Sequence, residues 1–165
     1  MAKNLLVYPE KCLGCRTCEM FCSLSHTDTC NPARSRVNII KMDLDVRCVP
    51  MVCQQCVDPA CENSCPVGAI SRNPTTGAME TDRDICIGCR TCVFACPFGG
   101  TSVDPAEGTV IRCDLCGGEP KCVEACPYGA IVYVEEERQG LHKKRSSAEK
   151  FLASLEPLAG KQNAG

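Results

Sequence analysis

Residues 12–22 read CLGCRTCEMFC, and residues 86–96 read CIGCRTCVFAC. Over their first seven positions the two runs differ only at Leu13 against Ile87, and both place cysteine at positions one, four, seven and eleven. Two further runs carry four cysteines with a longer middle gap, CQQCVDPACENSC at 53–65 and CDLCGGEPKCVEAC at 113–126. Together the four runs take sixteen of the chain's eighteen cysteines. C-x2-C-x2-C-x3-C, the spacing of the first pair of runs, is an iron-sulfur spacing, and four runs of four cysteines make room for four 4Fe-4S clusters.

In a C-x2-C-x2-C segment the chain wraps one cubic cluster, with backbone N–H groups between the thiolates aimed at cluster sulfur. The fourth cysteine, expected at the start of a helix, points away and ligates the partner cluster. Gly14 and Gly88 suit the wrap because a residue without Cβ lets the backbone come close. Pro66, Pro97 and Pro127 follow the fourth cysteine of three runs and fix φ at the exit, whereas the first run has Ser23 there. Zinc prefers two C-x2-C pairs around a loop, and a third cysteine two residues further on is hard to place on one tetrahedral ion. A radical enzyme's C-x3-C-x2-C is not present in any run.

The 165 residues include only 34 Leu, Ile, Val and Phe, barely above the roughly 20% below which charged chains stay disordered. Something besides aliphatic packing must hold the fold. Cysteine density this high means either disulfides or metal, and the compartment decides which. MAKNLLVYPEKC reaches a candidate ligand within twelve residues, leaving no room for a cleavable leader, and no stretch approaches the ~20 apolar residues of a membrane span. The expectation is a soluble, reducing, cytoplasmic and anaerobic setting with metal-bound thiolates. The formal charge of -2 counts every thiol as neutral; clusters would make the holoprotein more acidic, which argues against nucleic-acid binding.

The runs alternate in type. Pro59, Cys61, Cys65, Pro66 and Gly68 to Ile70 recur as Pro120, Cys122, Cys126, Pro127 and Gly129 to Ile131, which points to a duplicated two-cluster unit. Between runs two and three, a strand at Ala69 to Ser71, a turn at Asn73 to Gly77 and a return strand at Ala78 to Thr81 make a hairpin. After run four the same opening strand has no return, and before run one a return strand has no opening. Ala130 to Val134 should therefore pair with Leu5 to Tyr8. The fold class expected is α+β: two ferredoxin-like dicluster lobes with pseudo-two-fold symmetry, short hairpins and helices. Residues 1–47 and 105–137 would build one lobe from runs one and four, and 48–104 an inserted lobe from runs two and three. Residues 138–165 would form a C-terminal tail. A hairpin near Arg36 to Lys41 and Asp45 to Val49 would cover the junction. In the tail, Ser146 and Glu149 stand at capping-box spacing before an apolar stripe of Phe151, Leu152 and Leu155. That helix and the basic run 142–145 are docking candidates.

This pairing sets four ligand groups: Cys12, Cys15, Cys18 with Cys126; Cys113, Cys116, Cys122 with Cys22; Cys53, Cys56, Cys61 with Cys96; and Cys86, Cys89, Cys92 with Cys65. Cys30 and Cys48 read as free buried thiols, and His26 and His142 as surface or local packing residues.

The alternating order and the filled ligand positions resemble the four-cluster subunits of molybdenum and tungsten oxidoreductases, the dimethyl-sulfoxide-reductase iron-sulfur subunit family, over about residues 5–134. CLGCRTCEMFCSLSH followed by NPARSR looks most similar to small subunits beside tungsten aldehyde oxidoreductases. The resemblance implies a non-catalytic electron-transfer subunit with a large tungsten or molybdenum pterin partner and a second redox partner, such as a flavin subunit or a ferredoxin. Other expectations in the same class are a partner that is a carbon monoxide dehydrogenase, hydrogenase or formate-linked enzyme, or a freestanding polyferredoxin. A third, different class is a self-associating conductive scaffold. No nucleotide fingerprint, P-loop or histidine-carboxylate metal motif stands beside the cysteines.

Because the core is thin, metal ligation should carry much of the folding free energy. The far-UV circular dichroism of the iron-free chain is expected to be that of a largely unfolded protein; a native-like spectrum would contradict this.

Overall fold

A computed structural model describes residues 3–42 and 47–135, with Ala148. The expected tail helix and basic run lie outside the described residues. Among the described residues the secondary structure is short throughout: four two-stranded antiparallel sheets, four α-helices and three 3-10 turns, with the cysteine runs set between them.

Strand β1 (Lys3–Val7) pairs with β8 (Ile131–Glu135), Lys3 opposite Glu135 and Val7 opposite Ile131. The Tyr8 N–H extends the ladder by donating to the Ala130 carbonyl at 2.8 Å. The strand before run one thus pairs with the strand after run four as expected, and Leu5 and Ile131 are buried there. Between runs one and two, β2 (Asn38–Met42) pairs with β3 (Arg47–Met51). Between runs two and three, β4 (Ile70–Arg72) pairs with β5 (Met79–Thr81). Asn73 turns this hairpin: its Oδ1 accepts from the Thr75 and Thr76 N–H groups at 2.8 and 3.2 Å.

A hairpin that sequence reading missed lies between runs three and four, formed by β6 (Thr101–Val103) and β7 (Val110–Arg112). Its turn, Asp104 to Gly108, repeats the Asn73 device, with Asp104 Oδ1 accepting from Ala106 N–H at 2.8 Å. Asp104 is buried, and Arg34 Nε bonds both its oxygens at 3.0 and 2.8 Å. The hairpin straddles residue 104, where the sequence reading divided the lobes, and Val110 packs with Ile70, Met79, Cys61 and Cys92.

Each α-helix opens at the third cysteine of a run rather than at the fourth as expected: Cys18 in α1 (Thr17–Thr27), Cys61 in α2 (Ala60–Asn63), Cys92 in α3 (Thr91–Ala95) and Cys122 in α4 (Lys121–Glu124). In three runs the proline after the fourth cysteine stops the helix. Ser23 has the N–H that proline lacks, so α1 continues through Cys22 for eleven residues.

Cysteines form much of the interior. One core joins Leu5, Val37, Ile39, Val52, Leu115 and Ile131 to Cys18, Cys22, Cys48, Cys53, Cys113 and Cys122. A second joins Ile70, Met79 and Val110 to Cys61 and Cys92. Buried Gln55 ties the pieces together, donating to the Cys113 carbonyl at 2.9 Å and accepting from Met79 N–H at 2.7 Å.

Gly100 packs directly on run two, where a Cβ would stand 2.7 Å from Cys53 Cα, a backbone atom that cannot swing aside. Gly100→Ala is expected to destabilise the holoprotein by about 1–3 kcal/mol, the usual cost of overpacking. The measurement is the temperature at which bound iron is released, which should fall.

Candidate metal centres

The structure brings the run cysteines together in four groups. Cys12, Cys15, Cys18 and Cys126 line one pocket, and Cys65, Cys86, Cys89 and Cys92 line another. Cys53 and Cys56 both face Cys61 and Cys96. Cys122 faces Cys22 and Cys116, and Cys113 faces Cys122 and Cys22. All eighteen cysteines are unbridged. Each group takes three thiols from one run and one from another.

Backbone geometry aims donors at the crossing sulfurs. Ala69, Gly100 and Ala130 N–H groups donate to Cys65, Cys96 and Cys126 Sγ, each at 3.3 Å. Because α1 continues past Cys22, that sulfur is served from elsewhere, by the Arg36 N–H at 3.4 Å. At the sixth position of the C-x2-C-x2-C segments, Thr17 and Thr91 hydroxyls donate to Cys15 and Cys89 Sγ at 3.4 Å. These hydrogen bonds lower both thiol pKa values. Burial works the other way at the helical cysteines. It pushes Cys18 and Cys122 up to about 12, helped by the Glu19 carboxylate at Cys18 and by Cys22 at Cys122. Four crowded sulfurs repel one another as thiolates, and a cationic core relieves that.

His26 is not the isolated packing residue expected. Its Nδ1 lies 2.7 Å from the Cys22 carbonyl and 3.9 Å from Cys22 Sγ, while Nε2 bonds Asp114 Oδ1 at 3.1 Å beside Cys116. Asp114, then Cys116 and Cys22, push its pKa up to about 12. The same Asp114 pairs with Arg36, and its carboxyl is held below the ordinary range by His26 and Arg36 against the opposing effect of burial. Burial would raise the Cys22 thiol, but His26, the Arg36 N–H and Ser35 together lower it. No sequence spacing could show this: His26 and Asp114 are 88 residues apart.

Two further corrections concern the extra cysteines and a glycine. Cys30 is exposed rather than buried. Cys48 is buried next to Cys12, and its Sγ occupies the space where a Gly14 Cβ would go. Gly14 thus makes room for a protein thiol, at φ +70°, which favours glycine anyway.

Two buried polar groups have no hydrogen-bond partner among the described residues and sit beside cysteines: Thr81 Oγ1, by the Cys65, Cys86, Cys89 and Cys92 pocket, and Nε and Nη2 of Arg112, whose Nη1 reaches Cys61 Sγ at 3.2 Å. All-sulfur donor sets, N–H groups aimed at those sulfurs and an uncompensated buried cation fit an anionic iron-sulfur core.

Residues 44–136 match the model of the 4Fe-4S dicluster domain, and residues 9–25 that of a 4Fe-4S binding domain. The chain belongs to the 4Fe-4S dicluster domain family. It is 43% identical over 111 residues to the aliphatic sulfonate oxidoreductase polyferredoxin-like subunit of Pyrococcus furiosus, covering 67% of this chain and 64% of that subunit. It is 39% identical over 110 residues to the electron transport protein HydN of Escherichia coli, covering 62% of this chain and 61% of HydN. The matched region thus spans somewhat under two thirds of both relatives. The structure also aligns with a chain of the active site complex BamBC of benzoyl coenzyme A reductase, at TM-score 0.47 and 29% identity, covering 93% and 89% of the two chains. One of these relatives is thus named as a subunit of an oxidoreductase and the other as an electron transport protein. Among its described residues no helix is long and apolar enough to cross a membrane.

Ser23→Pro tests why run one departs from the others. It would delete an α1 hydrogen bond and the Ser23 Oγ that accepts from Asn31 N–H at 3.0 Å. Loss of about 3 kcal/mol is expected, read as a lower thermal midpoint and lower helical ellipticity of the holoprotein.

Proposed function

We propose that this chain holds four 4Fe-4S clusters on the sixteen run cysteines, in the groups Cys12, Cys15, Cys18, Cys126; Cys113, Cys116, Cys122, Cys22; Cys53, Cys56, Cys61, Cys96; and Cys86, Cys89, Cys92, Cys65. When bound, such clusters supply one-electron transfer with no open coordination position for substrate. The observation that carries the reading is the meeting of each fourth cysteine with thiols of a different run, in pairs that join run one to run four and run two to run three. The paired chain ends fit one lobe built from residues 1–47 and 105–137, around an inserted lobe of residues 48–104.

The groups are neighbours in a row. Cys18 faces Cys122, Cys113 faces Cys53, and Cys61 faces Cys92. The terminal groups are those nearest the surface. Cys15 and Cys89 are exposed, and so are Leu13 (68%) and Ile87 (65%) beside them. Apolar side chains at each end suit docking of protein partners, one at each terminus. The partner at one end is a large catalytic subunit, a tungsten or molybdenum pterin enzyme of the aldehyde-oxidoreductase type, and at the other a second redox protein such as a flavin subunit or ferredoxin. A relative that is itself a polyferredoxin-like subunit of an oxidoreductase supports a catalytic partner. The expected setting is the cytoplasm of an anaerobe.

Anaerobic native purification followed by metal analysis tests this. About sixteen irons per chain and a co-purifying subunit containing tungsten or molybdenum are expected; fewer than about twelve irons would contradict four complete clusters. Cys126→Ser should perturb a single cluster, visible as the loss or change of one component in the electron paramagnetic resonance of the reduced protein. A change in two or more would refute the crossing assignment.

A further inference from the structure

Arg112 closes β7 immediately before Cys113 and is only 4% exposed. Its Nη1 donates to Cys61 Sγ at 3.2 Å, while Nε and Nη2 have no hydrogen-bond partner among the described residues. A guanidinium stays charged at any working pH, and burying one without an anion is strongly unfavourable. The Cys61 it bonds packs against Cys92 of the neighbouring group in one buried core, so its charge lies beside two different groups. Arg112 therefore stands between the Cys53, Cys56, Cys61, Cys96 group and the Cys65, Cys86, Cys89, Cys92 group.

The duplicated sequence supplies an internal comparison. Run four corresponds to run two, so the counterpart of Arg112 is the residue before Cys53, which is Val52. Val52 is fully buried in the core that holds Cys18, Cys22, Cys113 and Cys122. One lobe thus has an isopropyl group where the other has a buried cation. At the far end of the row the buried polar side chain next to the site is a carboxyl group instead, Glu19 beside Cys18, whose Oε1 accepts from Ile39 N–H at 2.6 Å.

We infer that Arg112 is a potential-setting residue that holds both clusters of the inserted lobe at higher reduction potential and lets the two be reduced together. The inference rests on the four-cluster reading. Each reduction brings in one electron from the redox partner and no proton, making that group one unit more negative. A fixed cation between two such groups favours the reduced state of each and offsets the repulsion between the added electrons. Arg112 touches a ligand sulfur and does not itself transfer an electron.

The test is a mediated potentiometric titration of the holoprotein, followed by electron paramagnetic resonance, for wild type, Arg112→Gln and Arg112→Lys. Iron is counted first. A wild type with fewer than about twelve irons defeats the four-cluster reading itself. With full iron, Gln keeps a donor for Cys61 but removes the charge, so two of the four clusters should titrate lower. Their reduced-to-oxidised ratio at a fixed potential should fall about tenfold, equivalent to about 59 mV for one electron. The other two clusters should hold their midpoints, and Arg112→Lys should restore all four. Unchanged midpoints in Arg112→Gln overturn the inference, and so does an equal shift of all four clusters. If Arg112→Gln fails to retain iron, Arg112→Lys decides: full iron with wild-type midpoints supports the charge, and lowered midpoints or lost iron overturn it.

Discussion

Every group of four thiols in this chain borrows one member from a run distant in sequence, and the rest of the architecture follows from that borrowing. Cys126 can reach Cys12, Cys15 and Cys18 only if the ends of the chain are brought together, and the β1–β8 ladder does this. Cys65 reaches Cys86, Cys89 and Cys92 across the β4–β5 hairpin. The strands are only three to five residues long, too short to be stable alone in water. They act as clamps on loops whose sulfurs need a common cationic partner. Burial raises several of these thiols well above their ordinary pKa, so without metal they hold their protons, and a metal that binds there must displace them.

Local chemistry decides how each run leaves its site. Proline after Cys65, Cys96 and Cys126 ends a short helix and turns the chain so that an N–H four residues past the cysteine meets its sulfur. Ser23 lets α1 run on, and the donor to Cys22 is replaced by the Arg36 N–H, fourteen residues away. That substitution draws residues 35–36 against the site and, through Arg36 and His26, brings Asp114 of run four into the same network. One change of residue type thus reorganises the contacts of a whole group.

The cysteine spacing made the family, the alternating order and the closure of the chain ends legible, because each rests on short local patterns that recur at a fixed offset. The β6–β7 hairpin escaped because Asp104-Pro-Ala-Glu-Gly108 does in one place what Asn73-Pro-Thr-Thr-Gly77 does in another, and the two turns share only proline and glycine. Helix starts were misjudged by one cysteine. The left-handed Arg16 and Arg90 that open α1 and α3 are unusual for non-glycine residues and leave no mark in composition. His26 and Arg112 were missed for a common reason: their partners lie far off in sequence, and nothing in a lone histidine or arginine announces a buried neighbour.

The comparison between halves shows where a duplicated cluster unit is free to diverge. Ligand positions cannot move without losing metal, and the glycine and proline positions around them are nearly as constrained by backbone geometry. What remains variable is the residue packed against the sulfurs from outside: Val52 against Arg112, and Ser23 against Pro97. These positions leave the ligand set untouched while changing the charge and hydrogen bonding it experiences, and those are the terms that set a cluster's potential. Two lobes built on the same ligand pattern therefore need not be electrically equivalent. The row of sites acquires a direction from side chains that never touch iron.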